Sequence, residues 1–185
     1  MTEFTDEELV IRFQDGSDQA FNVLVLRYQK KVYWIARRFV NDHDRADDIT
    51  QEVFCRVFDG LKEFRSESSL YTWLYRITVN LSINALRRQR IRDLFRIDDF
   101  FELEDEHSVR PDVQAESGEQ RTLIEAAIQT LPEKQKAVFL MRYYDELPYE
   151  EISKITKTSV GGLKANYFHA VKKIGDFLKN AHGTR

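Results

Sequence analysis

Trp73, Arg76, Asn80, Asn84 and Arg87 recur at steps of three and four residues. On a helix that spacing puts all five on one side. The line runs from an aromatic ring to a cation, two amides and a second cation. A ring can stack on an unpaired base, an amide can meet a base edge, and a guanidinium can hold a phosphate. Single-stranded nucleic acid is the ligand that uses all three. The same stretch carries Leu70, Leu74, Ile77 and Leu81 at helical spacing, which predicts a core-facing side. A solvated polar face opposite a core is the norm for a surface helix, so the line gains meaning only from the rest of the chain.

Two further groups share its logic. Near the C-terminus, a pattern from Ser159 to about Asn180 places Val160, Leu163, Tyr167, Val171, Ile174 and Leu178 on an expected buried seam. The other side then presents Lys164, Asn166, Phe168, His169, Lys172 and Lys173. Lys164 and His169 suit phosphates or guanine edges, and Asn166 suits an adenine edge. Gly161-Gly162 in the first turn is costly for a helix and fits close approach of backbone amides to DNA phosphates. The third group is acidic: Asp44, Asp47, Asp48, Gln51 and Glu52 lie on one side of a helix, with Ile49, Val53, Val57 and Phe58 on the other. First-turn carboxylates complement the helix dipole, which accounts for Asp47 and Asp48. Gln51 and Glu52 carry the face beyond that turn and fit a basic protein partner.

Catalytic chemistry finds no support. His43, His107, His169 and His182 are scattered, and none has metal-ligand spacing with a second His or Cys. No phosphate-cradling glycine loop or nucleophile elbow is present. The single cysteine, Cys55, excludes an internal disulfide and is expected in the core. No catalytic residue, metal or cofactor is therefore expected. There is no secretory leader and no apolar run of eighteen residues, so a cytoplasmic protein without a membrane anchor is expected.

An all-α chain of two small domains would position these groups. Thr5 with Glu8 predicts a capped first helix ending near Gly16. A second helix follows Ser17 and runs to Phe39, a third ends near Gly60, and the fourth spans Leu70–Arg90. Residues 91–118 lose periodicity and read as a linker, with a short helical turn at Leu94–Phe101. A second helical unit comprises Glu119–Thr130, a helix opened by Pro132, the short helix Tyr149–Ile155, and the long last helix capped by Ser159. Short helix, tight turn and longer helix make a helix-turn-helix pattern. The expected domains are thus residues 1–90 and 119–185. A net charge of −3 opposes binding to nucleic acid, but its distribution is uneven. From Asp98 to Glu119, nine carboxylates against the single Arg110 give −8, so the remainder carries +5 of the net −3.

Taken together these residues resemble the extracytoplasmic-function (ECF) group of bacterial RNA polymerase sigma factors, a branch of the sigma-70 family. The segment Asp44-Arg-Ala-Asp-Asp-Ile-Thr-Gln-Glu-Val-Phe54 is similar to the one that docks on the clamp helices of the polymerase β′ subunit. Phe64-Arg65, Tyr71-Thr-Trp-Leu-Tyr-Arg-Ile77 and Asn80 resemble the segment that melts and reads the −10 element. Leu131-Pro-Glu-Lys-Gln135, Leu147-Pro-Tyr-Glu-Glu-Ile-Ser153 and Ser159-Val-Gly-Gly-Leu-Lys164 resemble the −35-reading domain.

The resemblance implies an initiation factor that directs core RNA polymerase to promoters. It implies polymerase contact, including the β subunit, through Asp44, Asp47, Asp48, Gln51 and Glu52. The −10 strand falls to Phe64, Arg65, Ser69, Tyr71, Trp73, Arg76, Asn80, Asn84, Arg87 and Arg88. The −35 duplex falls to Arg142, Ser159, Gly161, Gly162, Lys164, Asn166, Phe168, His169, Lys172 and Lys173. With no extension after Arg185, control by a separate anti-sigma factor is the expected arrangement. Relatives carry more arginine on the last helix and often Gly-Thr at 161–162, so the −35 preference does not follow from the resemblance. Two rival readings explain less. A stand-alone helix-turn-helix regulator leaves the Trp73–Asn84 line without a role, and a helical adaptor leaves both basic helices without one.

Overall fold

The computed structural model describes residues 4–96 and 117–182. The chain divides into two compact units, Met1–Leu86 and Arg87–Arg185. All regular structure among the described residues is helical.

The N-terminal unit is built from α1 (Asp6–Gln14), α2 (Asp18–Val40), α3 (His43–Leu61) and α4 (Leu70–Arg96), the last running past the unit boundary. The Thr5 amide donates to the Glu8 carboxylate at 2.8 Å, and the Glu8 amide donates to Thr5 Oγ1 at 3.2 Å. This reciprocal pair satisfies two amides that the first turn leaves orphaned. Gly16, at φ +98°, then turns the chain sharply into α2. Arg27 and Tyr28 on α2 both donate to the Asp6 carboxylate, which fastens α1 to α2. Burial and this carboxylate hold the Tyr28 hydroxyl far above its usual pKa. Asn41 ends α2 in the left-handed conformation, and Asp42 caps α3 by accepting from the Arg45 amide at 2.8 Å. Phe13, Phe21 and Phe58 meet with centroids 5.0–5.5 Å apart and lock α1, α2 and α3 together.

Helix α4 is buried over a wider arc than the predicted Leu70, Leu74, Ile77 and Leu81 stripe. Tyr75, Thr78, Val79 and Ser82 are also buried, and Ile77 is only half-buried. The hydroxyls of Thr78 and Ser82 donate to the carbonyls of Leu74 and Thr78, each at 2.8 Å, so two polar groups enter the core satisfied. The helix starts where expected but continues to Arg96, six residues beyond the predicted end. The acidic run, which begins at Asp98, lies outside the described residues up to Glu116. So does the expected helical turn beyond Arg96. Ser117 opens the next helix.

The C-terminal unit contains α5 (Ser117–Gln129), α6 (Glu133–Tyr143), α7 (Tyr149–Thr156) and α8 (Val160–His182). Pro132 and Pro148 stand at the caps of α6 and α7. Lys157, at φ +56°, ends α7 and makes the tight turn into α8. Ser159 Oγ accepts from the Gly162 amide at 3.2 Å and caps α8. The core joins Ala127 and Ile128, Val138, Leu140 and Met141, Ile152 and Ile155, and Leu163, Ala170 and Ile174.

One cation lies inside this core. Lys136 on α6 is 3% exposed, and its ammonium donates to the Gln129 side-chain carbonyl. Burial pushes its pKa down to about 8. The folded unit therefore binds fewer protons than the unfolded chain between pH 8 and the ordinary lysine value. Stability from this group rises with pH across that window and is lowest below it. At about 1.4 kcal/mol per unit, the penalty at neutral pH is on the order of 3 kcal/mol. Lys136→Met is expected to raise the urea midpoint at pH 7. The gap between variant and wild type should narrow by pH 9.5. Urea titrations of both proteins at the two pH values check this.

Candidate nucleic-acid interface

On α3, Ala46, Ile49, Val53, Val57 and Leu61 are buried at helical spacing. That leaves Asp44, Asp47, Asp48 and Gln51 exposed on the other side and Glu52 half-buried. Glu52 pairs with Arg56 at 2.6 Å one turn on, a surface contact worth only a few tenths of a kcal/mol. At the head of the helix, the Tyr33 hydroxyl meets His43 Nδ1 at 2.5 Å. Cys55 was expected in the core but is exposed. It sits two residues from both Val53 and Val57, which turns it away from the buried side.

Trp73, Arg76, Asn80, Asn84 and Arg87 lie opposite the buried arc of α4. Asn80, Asn84, Arg87 and Arg88 are exposed, whereas Trp73 and Arg76 are half-buried. The Trp73 ring is seated rather than free. It packs on Phe64 at 4.9 Å between centroids, and a Cβ added at Gly60 would come within 3.0 Å of its Cζ2. The backbone of α3 thus forms the floor of the ring's seat. Phe64 is held in turn by Gln14, whose Nε2 donates to the carbonyls of Leu61 and Phe64 at 3.0 and 3.1 Å. The Nε of Arg76 is shielded from solvent without a hydrogen-bond partner.

Ser69 serves the start of α4, its Oγ accepting from the Thr72 amide at 3.1 Å. Tyr71, part-exposed, stacks on Tyr28 at 6.2 Å with the Lys31 ammonium 5.5 Å from its ring. Arg65 is exposed on the preceding loop.

In the C-terminal unit, Lys164, Phe168, His169, Lys172 and Lys173 are exposed on α8 and Asn166 is half-buried. Of the predicted seam only Leu163 and Ile174 are buried, Val160, Tyr167 and Leu178 are half-buried, and Val171 is displaced. Ala170 is fully buried, and Val171 is 46% exposed. Three residues separate Tyr167 from the next buried position, not four. Tyr167 is only half-buried, its ring 6.0 Å from Phe139 and 6.3 Å from Tyr149.

Tyr149 also organises two expected DNA contacts. The Arg142 guanidinium lies 4.9 Å from its ring centroid and the Lys164 ammonium 5.9 Å. Arg142 itself donates to the Leu147 carbonyl, closing the loop between α6 and α7, so this half-buried cation already has an internal task. The two glycines differ as well. A Cβ at Gly162 would meet Ser159 Oγ and Thr158 Cγ2 at 3.3 Å, whereas a Cβ at Gly161 would meet nothing within 4 Å.

Sequence reasoning missed Gln14, Gly60 and Tyr149. Gly60 looked like a helix end, and no local signal marks the other two. Among the described residues no cluster of His, Cys, Asp and Glu could hold a metal ion, and no helix is long and apolar enough to cross a membrane.

The Sigma-70 region 2 family matches residues 24–92, and the Sigma-70 region 4 family matches residues 121–174. The RNA polymerase sigma-H factor of Pseudomonas aeruginosa is 36% identical, with 97% of this chain and 96% of that protein covered. The ECF RNA polymerase sigma-E factor of Escherichia coli K12 is 37% identical, with 93% of each covered. Among solved structures, CnrH in complex with the cytosolic domain of CnrY superposes with a TM-score of 0.62 at 19% identity. It covers 95% of this chain and 97% of that one. The sigma factor RpoE of Bartonella quintana, bound to the anti-sigma factor NepR, also gives 0.62 at 21% identity, covering 86% and 96%. These two support the fold. The two family matches and the full-length relatives show that the chain belongs to the ECF branch of the sigma-70 family, and that it is a promoter-directing transcription initiation factor rather than an enzyme.

Proposed function

We propose that the two units divide promoter recognition, residues 1–90 holding polymerase and the opened −10 strand and residues 119–185 reading the −35 duplex. The side of α4 opposite its core carries this reading. There a seated indole, two exposed amides and two arginines share one line within the region 2 match. Trp73 stacks on an unpaired base, Asn80 and Asn84 meet base edges, and Arg76, Arg87 and Arg88 hold phosphate. Phe64, Arg65 and Ser69 lie near the start of this track, and Tyr71, on the other side of α4 against Tyr28, supplies a separate aromatic contact to the −10 strand. Asp44, Asp47, Asp48, Gln51 and Glu52 form the polymerase-docking face, with the β′ clamp helices as the basic partner and the β subunit as a further contact.

On α8, Lys164, Asn166 and His169 face bases, while Lys172 and Lys173 hold phosphate. Ser159, Gly161 and Gly162 present the helix start to the duplex, and Arg142 steadies the preceding loop. The acidic run from Asp98 to Glu119 threads basic channels of the polymerase. A separate anti-sigma protein holds the factor inactive in the cytoplasm.

Reversing Asp48 and Glu52 to lysine should weaken binding to core polymerase with helicity retained. Unchanged capture of core enzyme in a pull-down would remove this face from the interface.

Asn80→Ala should reduce open-complex formation with polymerase binding and thermal stability unchanged, since Asn80 is exposed. Trp73→Ala should cost more, roughly 1–3 kcal/mol for a lost stacking contact. Because Trp73 is half-buried, its melting temperature must be measured alongside. Permanganate footprinting of reconstituted holoenzyme reads both variants, and normal melting in both would end the assignment.

Gly60→Ala should displace the Trp73 ring from its seat while keeping the tryptophan in the chain. The expected result is impaired promoter opening with normal capture of core enzyme. Normal opening in this variant would show that the seat has no part in the reaction.

A further inference from the structure

Helix α8 carries exposed apolar groups that its core does not use. Phe168 is 65% exposed and Val171 46%, and Ala165 is exposed as well. Leu163, Ala170 and Ile174 show where the core lies, and Ala165 and Phe168 sit on the far side of the helix from them. Ala165 and Phe168 are three residues apart, as are Phe168 and Val171, so the three form one strip along the helix. The hydrogen-bonding groups flank it, Lys164 on one side and His169 on the other, with the His169 ring 5.7 Å from the Phe168 ring.

The strip is embedded in positive charge. No Asp or Glu occurs between Val160 and Gly175, while Lys164, Lys172 and Lys173 are exposed there. An apolar protein partner gains nothing from that surround, whereas a duplex supplies phosphate on both sides of its groove. Within the major groove the one apolar group is the thymine 5-methyl.

We infer that Ala165, Phe168 and Val171 form a thymine-methyl reader at the centre of the −35 contact, so that specificity here rests on apolar contact as well as hydrogen bonds. This rests on the assignment of α8 to the −35 duplex. The −35 preference must then include thymine, on one strand or the other, at the steps facing Phe168. Lys172 and Lys173 strengthen binding on every sequence, and Phe168 selects among sequences.

The test uses reconstituted holoenzyme and the −35 sequence it selects from a randomised library. Each thymine of that element is then replaced singly by deoxyuridine, which deletes one methyl and keeps every base-pairing group. At one or two positions the wild type should bind about fourfold more weakly, the equivalent of roughly 0.8 kcal/mol for one buried carbon. Phe168→Ala should abolish that sensitivity, and Val171→Thr, which keeps the branched shape, should reduce it. If no replacement changes wild-type binding while Lys172→Ala still weakens every sequence, the methyl reader is wrong and the −35 assignment stands. If neither Lys172→Ala nor Phe168→Ala alters promoter binding, the −35 assignment itself fails. If Phe168→Ala instead weakens only assembly with core polymerase, the strip is a protein contact and the inference is overturned.

Discussion

Helix α4 must hide nearly half its circumference. Leu70, Leu74, Tyr75, Thr78, Val79, Leu81 and Ser82 all lose contact with water, and two of them are polar. Because both hydroxyls bond back to their own helix, burial fixes the rotation of α4 about its axis without demanding partners elsewhere. That rotation decides which side remains outside. Trp73, Asn80 and Asn84 share a line because the core claims the opposite one. A rotation by one residue would bury an amide and expose a valine, so the fold resists slippage in either direction.

The C-terminal unit works under the same constraint with less margin. Ala170 is fully enclosed, and its small size allows α8 to lie close to its neighbours. Lys136 adds a burial cost that nothing among the described residues offsets beyond one amide carbonyl. The unit therefore relies on its apolar residues and on caps such as Ser159. Arg142 and Tyr149 tie the loop between α6 and α7 to the start of α8. The N-terminal end of α8 is thus set by side chains remote from it in sequence.

Much of this is legible in the chain because it is local. The Thr5–Glu8 box, the Pro132 start and the Ser159 cap each depend on groups within four residues. Periodicity placed the helices for the same reason. It failed where one residue decides a face. Cys55 looks apolar among apolar neighbours yet points outward, and Val171 gives up the seam to Ala170, a residue too small to register as core. The acidic face of α3 and the aromatic-amide line of α4 were also readable, since each lies on a single helix. The seat beneath Trp73 was not. It joins Gly60, Phe64 and Gln14 from separate elements, and only tertiary packing brings them together.

The contact between Gly60 and Trp73 couples the two positions. A methyl at residue 60 and an indole at residue 73 compete for the same space, 3.0 Å apart. A lineage that gains a side chain at 60 must shift the ring at 73 by a few tenths of an ångström or replace it with a smaller residue. The reverse path is open, because a smaller residue at 73 leaves glycine tolerated but no longer required. Drift at this pair therefore runs more easily in one direction than back. The indole, once lost and its floor filled, is hard to recover.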